Sequence, residues 1–408
     1  MKFSIIKQLQ ISPQDFSDRK HFPGTPGNPY HIIDKIQARL APVPFPIFSL
    51  FFGGVVYLFS GELAKPLLIA GFLLLDWLLL CFLPQFQISF GPPALPALAL
   101  GMMRSPFLIF NFPIALAFQI LGTILVLYGF YFEPQFPRVT HHRVKFFKAK
   151  RETQPLRIVH LSDLHMEFFT SREERAIEQI NKLEPDLILF SGDFFNISYQ
   201  NHPESHHDIH KFFRALKSKH GIYAVTGSPS VDLKESLEKV LPDLNLILLR
   251  DQIVDLEIKG QPIQLIGLDC THQPQRDVKR LKVLAHDLNL NAHRTRILLY
   301  HSPDIAPHLG TLPIDLQVSG HTHGGQVQIP LLGPIYTGSL YGVAFSSGHY
   351  FINDSLNLIV SRGLGLEGEA APRVRFFSPP EICDITLEFT RHHVQLNRTR
   401  YFRRLRKK

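Results

Sequence analysis

Five short polar segments carry side chains able to hold a metal ion. They are Asp163-Leu164-His165, Gly192-Asp193, Gly227-Ser228-Pro229-Ser230, His301-Ser302-Pro303-Asp304 and Gly320-His321-Thr322-His323-Gly324-Gly325-Gln326. Residues two apart in an extended chain point to the same side, so Asp163 with His165, and His321 with His323, are expected to present paired ligands toward one point. Carboxylates mixed with imidazoles suit Mn, Fe or Zn. A carboxylate shared by two ions about 3.5–4 Å apart is the arrangement that clamps a phosphoryl oxygen and activates a nucleophile. A lone DxH or HxH more often marks an ordinary histidine, but all these segments in one order are a far more specific pattern.

Such ligands meet only if the fold delivers them to one place. Apolar runs at 156–161, 187–190, 222–225, 263–268, 297–300, 316–318 and 356–360 predict strands, several followed at once by one of the polar segments. Helices are predicted over 173–183, opened by a capping-box spacing of Ser171 and Glu174, and over 233–240. Strand–helix alternation argues an α/β domain, whose strand ends converge on a crevice. Glycines beside the histidines let the backbone approach without a Cβ clash.

The rest of the chain has a different character. Between Phe45 and Phe132 the only Asp, Glu, Lys or Arg residues are Glu62, Lys65, Asp76 and Arg104, although the whole chain carries 43 Lys and Arg and 35 Asp and Glu. Runs at 45–60, 67–83 and 107–132 are long enough, or nearly so, to cross a hydrocarbon core of roughly 30 Å. The stretch 86–103, with Gly91, Pro92, Pro93 and Pro96, reads as a fourth, broken span or a re-entrant segment. This composition excludes an all-soluble protein. Basic flanks at 1–42 and 138–151 imply an even number of crossings with both ends cytoplasmic, and nothing before Pro42 resembles a cleavable signal peptide. Three unpaired cysteines, Cys81, Cys270 and Cys383, encode no disulfide framework and fit a reducing compartment. Of the formal net charge of +8, the tail 391–408 supplies eight Lys and Arg without an acid. Attraction to anionic lipid accounts for that tail at about 1 kcal/mol per basic residue, and no nucleic-acid partner is expected.

The order DxH, GD, H and GHxH resembles the calcineurin-like metallophosphoesterase superfamily. The string Gly320-His-Thr-His-Gly-Gly-Gln-Val327, with Ser361-Arg-Gly-Leu-Gly-Leu366 and Arg373-Val-Arg-Phe-Phe-Ser-Pro-Pro-Glu-Ile382, is similar to its membrane-associated YaeI and YkuE branch. The resemblance spans about residues 155–390 and implies a four-layer α/β/β/α sandwich with a two-metal site. Carried over, it implies that Asp163, His165 and His323 bind a first ion, Asp193 bridges, and His301 and His321 bind the second and orient the phosphoryl oxygens. One segment departs from the family: Gly227-Ser228-Pro229-Ser230 stands where the family writes Gly-Asn-His followed by an acid. The second ion thereby loses an Asn ligand and the leaving group a histidine acid. Asp232 stands near enough to act as a replacement ligand or, alternatively, as a helix-N-terminal acid.

Other polar residues carry blander expectations. His202, His206, His207 and His210 read as a solvated loop that could rim the site; Asn196 as a turn residue or a partner of Asp193; Asp304 as a helix cap; Asp76 as a bundle-facing structural residue or a proton site. The expected organisation is a cytoplasmic segment 1–42, a membrane region 43–132, a basic linker 133–154, a phosphoesterase domain 155–390 and a basic tail 391–408. The expected protein is a multi-pass inner (plasma) membrane phosphohydrolase with two divalent ions and a cytoplasmic catalytic domain. Its substrate would be a phosphodiester or pyrophosphate, the branch resemblance suggesting a lipid-linked one such as UDP-2,3-diacylglucosamine. The rival expectation is a degenerate, non-catalytic scaffold binding metal or a lipid headgroup.

Overall fold

The computed structural model describes residues 3–22, 31–40, 42–86, 88, 91, 93–149, 154–286, 294–310, 312–367 and 372–391; the basic tail beyond Arg391 lies outside them. Two sheets organise the C-terminal part. One has the order Arg138–Ala149, Glu381–Arg391, Leu156–Leu161, Leu187–Phe190, Ile222–Ala224, Ile247–Leu248. The other runs Ile6–Leu9, Gly348–Ile352, Leu356–Val360, Leu316–Ser319, Thr295–Leu299, Gln261–Gly267, Gln252–Ile258. In the first sheet the four strands from Leu156–Leu161 to Ile247–Leu248 are parallel neighbours. Such strands are apolar on both faces, which is why they read as short continuous runs. Leu156 and Ile158 join Leu265, Leu299 and Val318 of the second sheet in a buried core between the sheets. On the far side, Val159 and Leu161 pack with Ala176, Ile180, Phe212 and Leu237 of three helices. Ile266 and Leu298 likewise pack outward with Leu281 of the Pro274–His286 helix and with Ile305.

Every expected strand is present, displaced by no more than two residues at either end. The helix expected from 173 starts at Ser171, and its capping box lies one residue earlier than read. Thr170 is the N-cap, and Glu173 Oε2 accepts the Thr170 backbone N–H at 2.8 Å.

Within the segment 133–154 expected to be a linker, residues 133–149 are built into the fold. Arg138–Ala149 is an edge strand in parallel register with Glu381–Arg391. Val144 and Phe146 point into the core, whereas Arg143 and Lys145 reach Glu388 of the neighbouring strand at 3.0 and 3.6 Å. The basic run therefore includes the outward face of a charged edge, a common device against edge-to-edge pairing. The N-terminal segment is also built in: Phe3 bridges to His141, and Ile6–Leu9 pairs with Gly348–Ile352. It thus joins the edges of both sheets.

The apolar block forms helices Phe45–Ser60, Ala64–Phe82, Ala94–Arg104 and Phe112–Leu127. Among the described residues, two helical stretches are by length and composition long and apolar enough to cross a membrane: Ala64–Phe86 and Phe112–Gln135. Phe45–Ser60 and Ala94–Ile109 are shorter. Leu50, Phe51, Leu58, Phe59 and Leu67 face outward. Asp76 has a buried charged neighbour: Arg104 Nη2 lies 2.7 Å from its carboxylate, and Thr123 Oγ1 donates to it at 2.9 Å. A Cβ at Gly122 would lie 2.3 Å from Arg104 Nε, so that glycine makes room for the guanidinium. The last helix runs directly into the sheets. Arg375 N donates to Gly129 O at 2.9 Å, Phe377 N donates to Glu133 Oε2 at 2.8 Å, and Val374 packs with Leu80, Val126 and Phe130.

Removing one partner of a buried ion pair leaves the other charge uncompensated, at about 3–5 kcal/mol, whereas replacing both by apolar groups of similar size is often neutral. Asp76→Ala is therefore expected to lower the melting temperature of the detergent-solubilised protein sharply, and the double replacement Asp76→Leu with Arg104→Met to restore most of it. Equal melting temperatures for wild type and Asp76→Ala would show the pair to be unimportant.

Candidate metal centre

The candidate ligands sit just beyond strand ends, on turns rather than in extended chain. Asp163, His165, Asp193, His321 and His323 have φ of 49°, 41°, 58°, 69° and 50°. This is the left-handed region that non-glycine residues rarely adopt, and such strain collects at functional sites. The expected extended i, i+2 geometry is thus replaced by tight turns that aim the same side chains inward. The turns lock to one another: Asp163 N donates to Gly192 O, His165 N to Asp193 O, and Gly365 N to Asp163 O. His321 N donates to Asp163 Oδ1 at 2.9 Å. Close approach requires glycine at these turns: a Cβ at Gly320 would lie 2.2 Å from Asp163 Oδ2 and one at Gly227 would lie 2.0 Å from Asp193 Oδ1.

Ligand atoms fall into buried groups within 4.8 Å of one another: Asp163, His165 and His323; Asp163, Asp193 and His301; and His272, His301 and His321. His165 Nε2 lies 3.1 Å from His323 Nε2, close to the roughly 3.3 Å that separates two nitrogens each about 2.0–2.1 Å from one tetrahedral ion. Asp193 Oδ2 stands between the groups, 3.5 Å from His165 Nε2 and 3.3 Å from His301 Nε2. Backbone carbonyls fix ring orientation: His301 Nδ1 is 2.8 Å from Ser191 O, and His165 Nδ1 is 3.2 Å from Phe195 O. Such partners hold metal-ligating imidazoles in the required tautomer. His321 Nε2 contacts Gly338 O at 3.2 Å, leaving its buried Nδ1 without a hydrogen-bond partner. An orphaned buried nitrogen amid carboxylates and imidazoles fits a divalent cation.

Electrostatics suit the same role. Burial keeps His165 neutral, at about 4, and His321 at about 3, with His323 also held well below its ordinary value. Neutral imidazole is the ligating form. Burial raises Asp163 to about 6. His301 is the exception: burial opposes its charge, but the Asp193 carboxylate raises it to about 9, while Asp193 itself, despite burial, is held well below the usual carboxylate range by His301.

The other residues singled out from sequence resolve differently. Asp232 is neither a ligand nor a helix acid. Its carboxylate accepts the backbone N–H groups of Asp193, Phe194 and Gly227 at 2.9, 2.8 and 2.7 Å, and so ties two of the ligand-bearing loops together. Burial, reinforced by Asp193, raises it to about 7. Asp304 does not cap a helix; Ser302 does, while Asp304 accepts from Ser339 Oγ and Leu340 N, holding the loop whose Gly338 meets His321. Asn196 forms a turn with Ser198 N and donates to Leu366 O. His202 precedes the Pro203–Ala215 helix and His206 contacts Gln200 O, apart from the metal-ligand groups found among the described residues. Sequence reasoning missed three contributors. Glu367 Oε1 is 3.5 Å from His323 Nε2. Arg375 donates to the carbonyls of His323, Gly365 and Ser378 from a fully buried position. His272 follows the strand Gln261–Gly267 as the other ligands follow theirs, but as a solitary histidine it has no paired motif to draw notice.

Two sheets whose strand ends converge on such a centre are the setting in which residues 156–325 match the calcineurin-like phosphoesterase family. YkuE of Bacillus subtilis, a metallophosphoesterase, is 30% identical over 270 residues, covering 64% of this chain and 90% of YkuE. The UDP-2,3-diacylglucosamine pyrophosphatase LpxG of Chlamydia trachomatis is 27% identical, covering 62% of this chain and 89% of LpxG. The phosphodiesterase YaeI of Escherichia coli is 26% identical, covering 50% and 74%. The chain belongs to the calcineurin-like phosphoesterase family.

Because His301 is protonated at neutral pH and an imidazolium cannot ligate, an ion bound there must displace its proton. Calorimetric Mn²⁺ titrations at pH 7.5 in buffers of different ionisation enthalpy should show release of about one proton per chain. Affinity at that ion should rise up to about tenfold per pH unit until pH 9. Heats independent of the buffer would contradict the His301–Asp193 ion pair.

Proposed function

We propose that this chain is a membrane-anchored phosphohydrolase with two divalent ions, cutting a phosphodiester or pyrophosphate bond of an amphiphilic substrate. The observation that carries it is the position of Asp193, whose Oδ2 faces His165 of one ligand group and His301 of the other. Asp163, His165 and His323 would hold the first ion, Asp193 would bridge, and His301 and His321 would serve the second. Ions at these positions, Mn, Fe or Zn by the donor set, would polarise the phosphoryl group and activate a water. The protein keeps these donors buried and fixed on turns, with His165, His321 and His323 neutral, so little reorganisation is left for the reaction itself. The three hydrophobic clusters support reading the domain as a four-layer α/β/β/α sandwich.

Departure chemistry narrows the substrate. Pro229 occupies the family's histidine position and has no proton to give. Losing a general acid typically costs 10² to 10⁴ in rate, a penalty that matters least when the leaving group is a phosphate ester of low pKa. Pyrophosphate cleavage meets that condition, and the relative LpxG is named for it. A lipid-linked substrate is supported by the setting. Gln135, at the end of the last long apolar stretch, lines the same cleft as His165, with Glu167 and Arg172. On the next loop Leu331, Leu332 and Ile335 are exposed beside the turn that bears His321 and His323. A multi-pass anchor in the inner membrane with the catalytic domain on the cytoplasmic side is the topology that fits the basic flanks. UDP-2,3-diacylglucosamine is the specific substrate proposed, and anionic lipid the partner of the basic tail.

The decisive experiment uses the full chain in detergent with bis-p-nitrophenyl phosphate and Mn²⁺. Turnover abolished by EDTA and restored by Mn²⁺ is expected. Asp193→Asn should reduce both turnover, by on the order of 10³, and bound metal. Absence of turnover with two ions bound would favour the scaffold alternative instead. Reporter domains fused before Met1 and after Lys408 should both read cytoplasmic, and opposite readings would overturn the even-crossing topology.

A further inference from the structure

His272 lies in the middle of the second ligand group although no motif predicts it. It is 2% exposed, its φ is 59°, and its Nδ1 has no hydrogen-bond partner. Its ring centroid is 4.3 Å from that of His321 and 5.7 Å from that of His301. Its Nε2 lies 3.1 Å from Ser228 Oγ, and the same oxygen lies 3.1 Å from His301 Nε2. Ser228 is the residue that replaces the expected Asn ligand. A hydroxyl is much smaller than a carboxamide, and the imidazole of His272 reaches into the space this leaves. The left-handed backbone that His272 shares with Asp163, His165, Asp193, His321 and His323 is costly for a residue with a Cβ.

A dedicated support holds the residue there. Asp277 Oδ2 accepts from Thr271 N at 2.9 Å and from Tyr300 Oη at 2.6 Å, and Asp277 Oδ1 accepts from Thr271 Oγ1 at 2.7 Å. Thr271 immediately precedes His272, and Tyr300 immediately precedes His301. One buried carboxylate thus sets the spacing of two imidazoles of the group, the part played by partners behind metal ligands.

We propose that His272 is a ligand of the second ion, supplying an imidazole in place of the lost Asn, so that this ion is held by Asp193, His272, His301 and His321. The inference rests on the two-ion reading of the site. Exchange of an amide oxygen for a third imidazole moves the site toward Zn²⁺ or Fe²⁺ and away from Mg²⁺, because imidazole suits the former and carbonyl oxygen the latter. The departure at Ser228 is then a substitution of one ligand by another rather than decay.

Metal binding to the full chain in detergent tests this without recourse to turnover. Wild type should bind two Zn²⁺ or Co²⁺ per chain by calorimetry and elemental analysis. His272→Ala should keep one and weaken the other by at least about 100-fold, with a changed visible spectrum of the Co²⁺ form. Ser228→Ala should keep both ions. Adding Ser228→Asn to His272→Ala should recover the second ion with relatively better Mn²⁺ binding, which guards against a variant that merely misfolds. Two ions bound to His272→Ala with unchanged affinity and spectrum would overturn the assignment while leaving the two-ion reading intact. Fewer than two ions on the wild type would overturn both.

Discussion

Asp193 makes the one contact on which both halves of the centre depend. Its carboxylate faces His165 on one side and His301 on the other, and Ser228 N donates to its Oδ1 at 2.6 Å. A buried carboxylate is stable only with charge or donors around it, and here the protonated His301 and the backbone provide both. Asp232 plays the complementary part below it. By accepting three backbone N–H groups from the 193–194 and 227 turns, it holds together loops that follow different strands of one sheet.

Turns in the left-handed region cost on the order of 1 kcal/mol or more per residue, and this centre concentrates them. The cost is offset by the surroundings, because every turn lies at the end of a strand buried on both faces and is hydrogen-bonded to its neighbour. The parallel arrangement in the first sheet brings the 161–163, 190–193 and 224–228 turns to the same edge. Arg375 closes the far side, where its buried guanidinium gathers carbonyls from three loops at once.

The same Arg375 joins the centre to the apolar helices. Its own N–H donates to Gly129 O of the last helix, while its side chain donates to His323 O. A helical stretch long and apolar enough to cross a membrane therefore abuts the wall of the metal centre at Arg375. Together with the edge strand at Arg138–Ala149, this leaves no slack between the two parts, so the distance from the apolar helices to the metal centre is set by packing and not by a tether.

How much of this was legible in the sequence follows from the range of each interaction. Strands buried on both faces announce themselves as apolar runs, and paired ligands such as Asp163 with His165 or His321 with His323 are visible because their partners are two residues away. The helix around Ala176 and the apolar block of 45–132 were readable for the same local reason. What could not be read were contacts between distant residues of ordinary appearance. Arg143 and Lys145 looked like a basic linker because Glu388, which neutralises them, is more than 240 residues away. The pairing of Asp76 with Arg104 leaves no local mark because Arg104 lies on another helix. The backbone acceptor role of Asp232 depends on donors from two turns, and His272 gains its place only when the Gln261–Gly267 strand is laid beside Thr295–Leu299. The sequence by itself determined which side chains could bind metal and which segments would be strands or apolar helices, since those follow from residue type and near spacing. Only the tertiary structure decided which histidines converge and which charges are paired, because convergence is fixed by strand order and the packing of the turns, and neither leaves a mark at short range.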